Sequence, residues 1–256
     1  MVQALHRAFD WRGPDRLVLV HGFTQTLRSW DGLATSLADT FQVVRVDLPG
    51  HGGSANIEMD FLDAAEAIGE AGGPATYVGY SMGGRLCLRL ALDRPDIVQA
   101  LVLVGASPGL ADEAERAARR KSDEALAVEI EQIGTEAFLE KWLAQPMFST
   151  LTPTPEDLAA RRANPPAGLA GALRRLGTGV QEPLWSRLGE LTMPVLAVAG
   201  QNDTRYANLA EEMADAIGVN AQVVALAGAG HAAHLERPGS FTRLLAAFLV
   251  LHPPTP

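Results

Sequence analysis

The chain has 256 residues, 47% apolar and 20% charged, which is enough to build a substantial core and excludes disordered and collagen-like chains. Thirty acidic against 21 basic residues give a net charge of −9, a field that repels nucleic acid and anionic membrane surfaces. No apolar run reaches the roughly 18 residues needed to span a bilayer.

Met1 to Asp10 contains no apolar stretch of the kind that makes a secretory leader. Cys87 is the only cysteine, so no internal disulfide forms. A cytoplasmic protein is expected, and nothing in the sequence specifies an oligomeric state.

In chain order, the first apolar run is Leu17–Val20, closed by His21-Gly22-Phe23. Val43–Asp47 follows, closed by Leu48-Pro49-Gly50-His51-Gly52, and then Thr76–Tyr80 and Leu101–Gly105. Val195–Gly200 and Gln222–Leu226 complete the set. Each run is short, rich in leucine or β-branched residues, and bounded by Gly, Pro or Asp, which predicts strands buried on both faces. Between them, 82–92, 206–217 and 240–251 read as helices, the last with Phe241, Leu244, Leu245 and Phe248 at helical spacing. Alternating strands and helices imply an α/β fold on a mostly parallel sheet with flanking helices.

The alternation stops between Ala111 and Glu182. This stretch is helix-forming to Leu143 and then interrupted by Pro146, Pro153, Pro155, Pro165 and Pro166. It reads as a helical cap, 111–182, inserted into a core formed by 1–110 and 183–256. Ligands of such sheets bind at the carboxyl ends of the strands, so the cap would roof the site.

Gly79-Tyr80-Ser81-Met82-Gly83 has the G-x-S-x-G pattern, entered by a strand and left by a helix. That context predicts a sharp turn lifting the Ser81 hydroxyl above the sheet. A serine needs a base, and the base needs an acid to orient it. Asp203 follows the strand 195–200, and His231 follows the next strand after Gly228-Ala229-Gly230. Ser81, Asp203 and His231 therefore converge on one sheet edge. His234 is expected to support rather than act as the base. Asp47 is the fallback acid, and Asp215 is disfavoured because it lies inside a helix. The amides of Phe23 and Met82 are expected to form an oxyanion hole, with His21 ordering its loop. His231 and His234 lack an evident third ligand, so no metal is expected.

The chain resembles the α/β-hydrolase superfamily through His21-Gly22-Phe23, Asp47–Gly52, the Ser81 elbow, Asp203 and His231. Within it, five separated segments resemble the 2-succinyl-6-hydroxy-2,4-cyclohexadiene-1-carboxylate synthases of menaquinone biosynthesis. They are 79–85, 107–110 followed by 115–123, 142–148, 161–164 and 200–206. The resemblance implies a carbon–oxygen lyase that needs no cofactor. It would eliminate pyruvate from 2-succinyl-5-enolpyruvyl-6-hydroxy-3-cyclohexene-1-carboxylate.

Such a small polyanionic carboxylate substrate calls for placed arginines, because the cap itself carries nine basic and twelve acidic residues. Arg85 lies four residues after Ser81, on the same side of its helix. Arg116, Arg119 and Arg120 share a helix face that is either inward or solvated, and the resemblance favours Arg119 as inward. It also implies Arg162, although Arg161 beside it leaves the choice between them open. Trp142 either stacks on the substrate ring or packs the cap. Tyr80 and Arg205 flank triad members and are expected to line the pocket. Cys87 is expected to be a small buried hydrophobe. A carboxylesterase or carbon–carbon bond hydrolase using Ser81 as nucleophile would employ the same triad; a neutral-ester hydrolase has little use for Arg85.

Overall fold

The structure, a computed structural model, describes residues 3–11, 13 and 15–253. Met1 and Val2, at the start of the stretch read as lacking a leader, lie outside them, as do residues 254–256 of the expected core.

The strands are β1 (Arg7–Trp11), β2 (Asp15–Val20), β3 (Phe41–Val46), β4 (Ala75–Tyr80), β5 (Val98–Val104), β6 (Val195–Gly200) and β7 (Ala221–Leu226). They form one sheet in the order β1-β3-β2-β4-β5-β6-β7. Strands β2 to β7 are parallel and correspond to the six apolar runs. Strand β1 has no counterpart in the apolar pattern. It pairs antiparallel with β3 at the sheet edge, Phe9 opposite Val44, and its Arg7 and Asp10 break any apolar run.

The central strands are buried on both faces, which explains their continuous apolar sequence. Val18, Val20, Leu101 and Leu103 pack on one face, while Leu17, Leu19, Val102 and Val104 pack on the other. Burying each such side chain contributes roughly 1.5–3 kcal/mol. The first face is covered by α2 (Phe61–Gly72), α3 (Met82–Asp93) and α7 (Thr204–Ile217). The second is covered by α1 (Asp31–Leu37) and α9 (Pro238–Leu251), with α8 (Ala233–Glu236) leading into α9. Among the described residues, no helix is long and apolar enough to cross a membrane.

Between β5 and β6 the chain is helical: α4 (Glu113–Leu143), α5 (Pro155–Arg162) and α6 (Pro166–Leu176). Asp112 caps α4 by accepting from the Glu115 amide at 2.8 Å. Gly134, at φ 79° and ψ 167°, breaks α4 into two arms. The prolines open short helices rather than interrupting long ones: Pro155 and Pro166 stand in the first turns of α5 and α6. Ala127, Ile130, Phe138, Leu169, Ala170 and Leu173 give these helices a small core of their own.

From β2 the chain goes to β3 on one side and then returns to β4 on the other. The sheet order therefore reverses between β2 and β4, and a crevice opens beyond their carboxyl ends. His21-Gly22-Phe23 leaves β2 there, and Ser81 leaves β4 beside it.

Candidate active site

Ser81 joins β4 to α3 with φ 50° and ψ −109°, a left-handed conformation that a non-glycine residue adopts only under constraint. The constraint is close packing around the turn. A methyl group on Gly83 would fall 2.5 Å from the carbonyl oxygens of Val20 and His21. Larger residues would push the elbow away from β2.

Asp203 and His231 arrive from the ends of β6 and β7. The Asp203 Oδ1 accepts from the Tyr206 amide at 3.3 Å, so the acid also caps α7 and is fixed by it. Its Oδ2 lies 2.7 Å from Nδ1 of His231, and Nε2 of His231 lies 3.2 Å from the Ser81 hydroxyl. A carboxylate only accepts, so Nδ1 carries the proton and Nε2 is free to accept from Ser81. The imidazole is buried, with the Tyr206 ring at 4.4 Å and the Tyr80 ring at 5.4 Å.

The loop after β2 lies against the elbow: a methyl on Gly22 would meet the Tyr80 ring at 2.7 Å and the Ser81 Cβ at 3.4 Å. Among the described residues, the amides of Phe23 and Met82 have no protein acceptor, and both residues line the cavity above Ser81. His21 holds this loop in shape. Its Nε2 accepts from the Leu48 amide at 3.0 Å and its Nδ1 donates to the Gly22 carbonyl at 2.8 Å. Burial drives the His21 pKa down and keeps the ring neutral.

The remaining acid candidate, Asp47, is occupied elsewhere. It accepts from the Leu27 and Gly53 amides at 2.7 and 2.8 Å and pairs with His6. His234 is buried beside Trp30 and Tyr80, with ring centroids 4.3 and 4.5 Å away. Cys87 is fully buried, and burial pushes its thiol pKa up, which leaves it chemically inert.

The triad opens into a cavity of about 450 Å³ between the sheet edge and the cap. Tyr80, Arg85, Arg119, Trp142 and Arg205 line it, as expected from the sequence. Arg85 is 6% exposed. It donates to the Gln181 Oε1 at 2.9 Å and to the Leu176 carbonyl at 2.7 Å, and its guanidinium lies over the Phe61 ring. Among the described residues, no carboxylate stands within ion-pair distance of it. Burial lowers its pKa to about 10, so the group is charged at neutral pH but without a partner for that charge.

The α4 arginines divide. Arg116 and Arg120 stay outside the cavity and pair with Glu113, while Arg119 lines it and donates to Asp123 at 2.7 Å. Arg205 stands exposed at the rim, its guanidinium 6.0 Å from the Tyr206 ring. Trp142 serves both readings: it lines the cavity and stacks on Phe138 at 5.7 Å, with Phe23 edge-on at 5.3 Å.

Arg162 is a correction. Its side chain is 48% exposed and faces Glu136, outside the cavity. The helical step of about 100° per residue turns it away while burying its neighbour. Arg161 donates to Asp157 at 2.6 Å and to the Thr24 hydroxyl at 2.7 Å. It braces the loop after β2 from behind rather than lining the cavity.

Sequence reasoning missed Tyr206, Phe148 and Gln181. Tyr206 is three residues after Asp203, the position an N-capping aspartate bonds, and that signal was available. Phe148, 5.9 Å from His231, and Gln181 reach the site only through the folding of the cap.

A family model described as alpha/beta hydrolase fold matches residues 15–238. A 2-succinyl-6-hydroxy-2,4-cyclohexadiene-1-carboxylate synthase of Enterobacter sp. (strain 638) is 33% identical over 252 residues, covering 95% of this chain and 93% of its own. The synthase of that name from Escherichia coli O1:K1 / APEC is 32% identical, with 91% and 93% covered. The solved structure of MenH from S. aureus superposes with a TM-score of 0.88 at 29% identity, covering 96% of this chain and 98% of that one.

Proposed function

Because the chain belongs to the alpha/beta hydrolase fold family and, within it, to the 2-succinyl-6-hydroxy-2,4-cyclohexadiene-1-carboxylate synthases, we propose that it is a lyase eliminating pyruvate in menaquinone biosynthesis. The substrate is 2-succinyl-5-enolpyruvyl-6-hydroxy-3-cyclohexene-1-carboxylate. On this reading the enzyme works in the cytoplasm.

The chemistry follows from the bonds that must change. The proton on C2 of the ring is acidified by the adjacent succinyl carbonyl. Removing it lets electrons move into C2=C3 while the C3=C4 pair moves to C4=C5. The C5–O bond then breaks and enolpyruvate leaves, becoming pyruvate when its methylene carbon is protonated. No water is consumed.

Ser81, which lines the cavity, takes the proton from C2 as His231 receives the Ser81 proton. Asp203 holds the imidazole in the required tautomer and stabilises it once charged. The Phe23 and Met82 amides receive the negative charge that develops on the succinyl oxygen. Arg85, Arg119 and Arg205 hold the substrate carboxylates, and Trp142 and Tyr80 pack against the ring.

One observation carries the reading: among the described residues, Arg85 is a buried cation without a carboxylate in ion-pair contact, in the same cavity as Ser81. A buried charge left alone is costly, and a substrate carboxylate offsets that cost on binding. The alternative, a hydrolase of neutral esters, gives Arg85 no task. The test is pyruvate release from the pathway precursor, followed with lactate dehydrogenase and NADH. One pyruvate per substrate supports the reading, and no release above the uncatalysed rate overturns it.

A further inference from the structure

His231 is placed by more than its bond to Asp203, because the loop that carries it is gripped from both sides by one carboxylate. The Gly230 amide donates to Oε2 of Glu236 at 2.7 Å, and the Ala232 amide donates to Oε1 at 3.0 Å. These are the residues immediately before and after His231. The Glu236 Oε2 also accepts from the Thr150 hydroxyl, in the loop between the cap's Pro146–Phe148 turn and α5. The His231 amide itself donates to the Met147 carbonyl at 3.3 Å, in the same part of the cap.

We propose that Glu236 is a positioning residue for His231, fixing the base by holding its two flanking amides and tying that loop to the cap. The inference rests on the base role read for His231 above. Three donors converge on one half-buried carboxylate, and charge-assisted hydrogen bonds of this kind are roughly twice as strong as neutral ones. Without the carboxylate, two amides lose their acceptor and the loop is free to turn the imidazole. A 3.2 Å contact between Nε2 and the Ser81 hydroxyl leaves little room for such a shift. Misplacing a reacting group by about 1 Å costs on the order of a hundredfold in rate.

Glu236→Ala and the isosteric Glu236→Gln, each in the full chain, test this. In Glu236→Ala, kcat for pyruvate release is expected to fall roughly tenfold to a hundredfold while KM changes less than about twofold. The low-field proton resonance of the His231 Nδ1–H bonded to Asp203 should broaden or disappear. Glu236→Gln keeps one acceptor but turns an NH₂ towards the other amide, so an intermediate loss is expected. If Glu236→Ala fails to fold, the Gln variant carries the test by the same two readouts. A folded variant with kcat within about twofold of the parent and an unchanged resonance overturns the proposal. If the parent itself releases no pyruvate, the lyase reading fails instead, and the resonance still decides the role of Glu236.

Discussion

The Arg85 guanidinium is held by the side-chain oxygen of Gln181 at 2.9 Å, a neutral partner where a buried arginine would usually find a carboxylate. Gln181 is itself buried, so this pairing fixes the position of Arg85 without neutralising it. Among the described residues Arg85 therefore stays charged without an ion-pair partner, in a chain whose net charge is −9.

Replacing Gln181 with Glu would place a carboxylate where the amide oxygen now stands. Gln181→Glu is expected to raise KM for the polyanionic substrate about tenfold or more, with a smaller effect on kcat. Arg85→Ala should lower kcat/KM for that substrate by about 1.5–3 kcal/mol, roughly tenfold to a hundredfold, while leaving hydrolysis of a neutral p-nitrophenyl ester nearly unchanged. Steady-state kinetics on both substrates distinguishes these outcomes. Equal losses on both would refute the carboxylate role of Arg85.

Ser81→Ala and His231→Ala are each expected to reduce turnover by several orders of magnitude, with far-UV circular dichroism and the thermal midpoint close to the parent's. Asp203→Asn should be comparably damaging, because Asn offers His231 the wrong tautomer. Near-normal pyruvate release from Ser81→Ala would remove the serine from the mechanism.

Arg161 and Arg162 are adjacent and should behave as opposites. Arg162→Ala removes an exposed side chain near Glu136, and stability should stay within about 0.5 kcal/mol of the parent with activity retained. Arg161→Ala leaves a nearly buried Asp157 without its partner and should cost about 3–5 kcal/mol, read by urea unfolding. Activity loss in Arg162→Ala larger than in Arg161→Ala would contradict the placement.

Burial keeps three of the four buried histidines, His21, His51 and His234, neutral. Burial lowers the pKa of His51 and of His234 to about 3, and that of His21 below its usual value. In the unfolded chain each takes up a proton as pH falls through about 6.5, which the fold resists. Stability should therefore decline as pH falls below about 6.5, by up to roughly 1.4 kcal/mol per pH unit for each of His51 and His234, with His21 adding in the same direction. Among the described residues, both ring nitrogens of His234 are buried without a hydrogen-bond partner. His234→Phe is thus expected to stabilise the fold by about 1–3 kcal/mol and to flatten the acid dependence by one proton. Urea unfolding at pH 5 and pH 7.5 measures both. A steeper acid slope in His234→Phe would contradict the assignment.

The parallel core was legible because β2 to β7 are buried on both faces, so each leaves a continuous apolar run closed by Gly, Pro or Asp. Strand β1 was not, because an edge strand such as Arg7–Trp11 needs no such run. The triad was legible for the same reason as the core: its members stand within five residues of the carboxyl ends of β4, β6 and β7. The cap arginines were only partly legible. Helical spacing shows that Arg116, Arg119 and Arg120 are neighbours, but the direction of each depends on which partner the folded cap brings close, Glu113 or Asp123. Gln181 gave no local signal, since it acts through a contact with Arg85 that exists only in the folded chain.

The most direct test of the account compares two rates on one preparation: pyruvate release from 2-succinyl-5-enolpyruvyl-6-hydroxy-3-cyclohexene-1-carboxylate and hydrolysis of p-nitrophenyl acetate. The account predicts a kcat/KM for elimination exceeding that for the ester by about a thousandfold or more, abolished in Ser81→Ala. Ser81-dependent ester hydrolysis with no pyruvate above the uncatalysed background would contradict it.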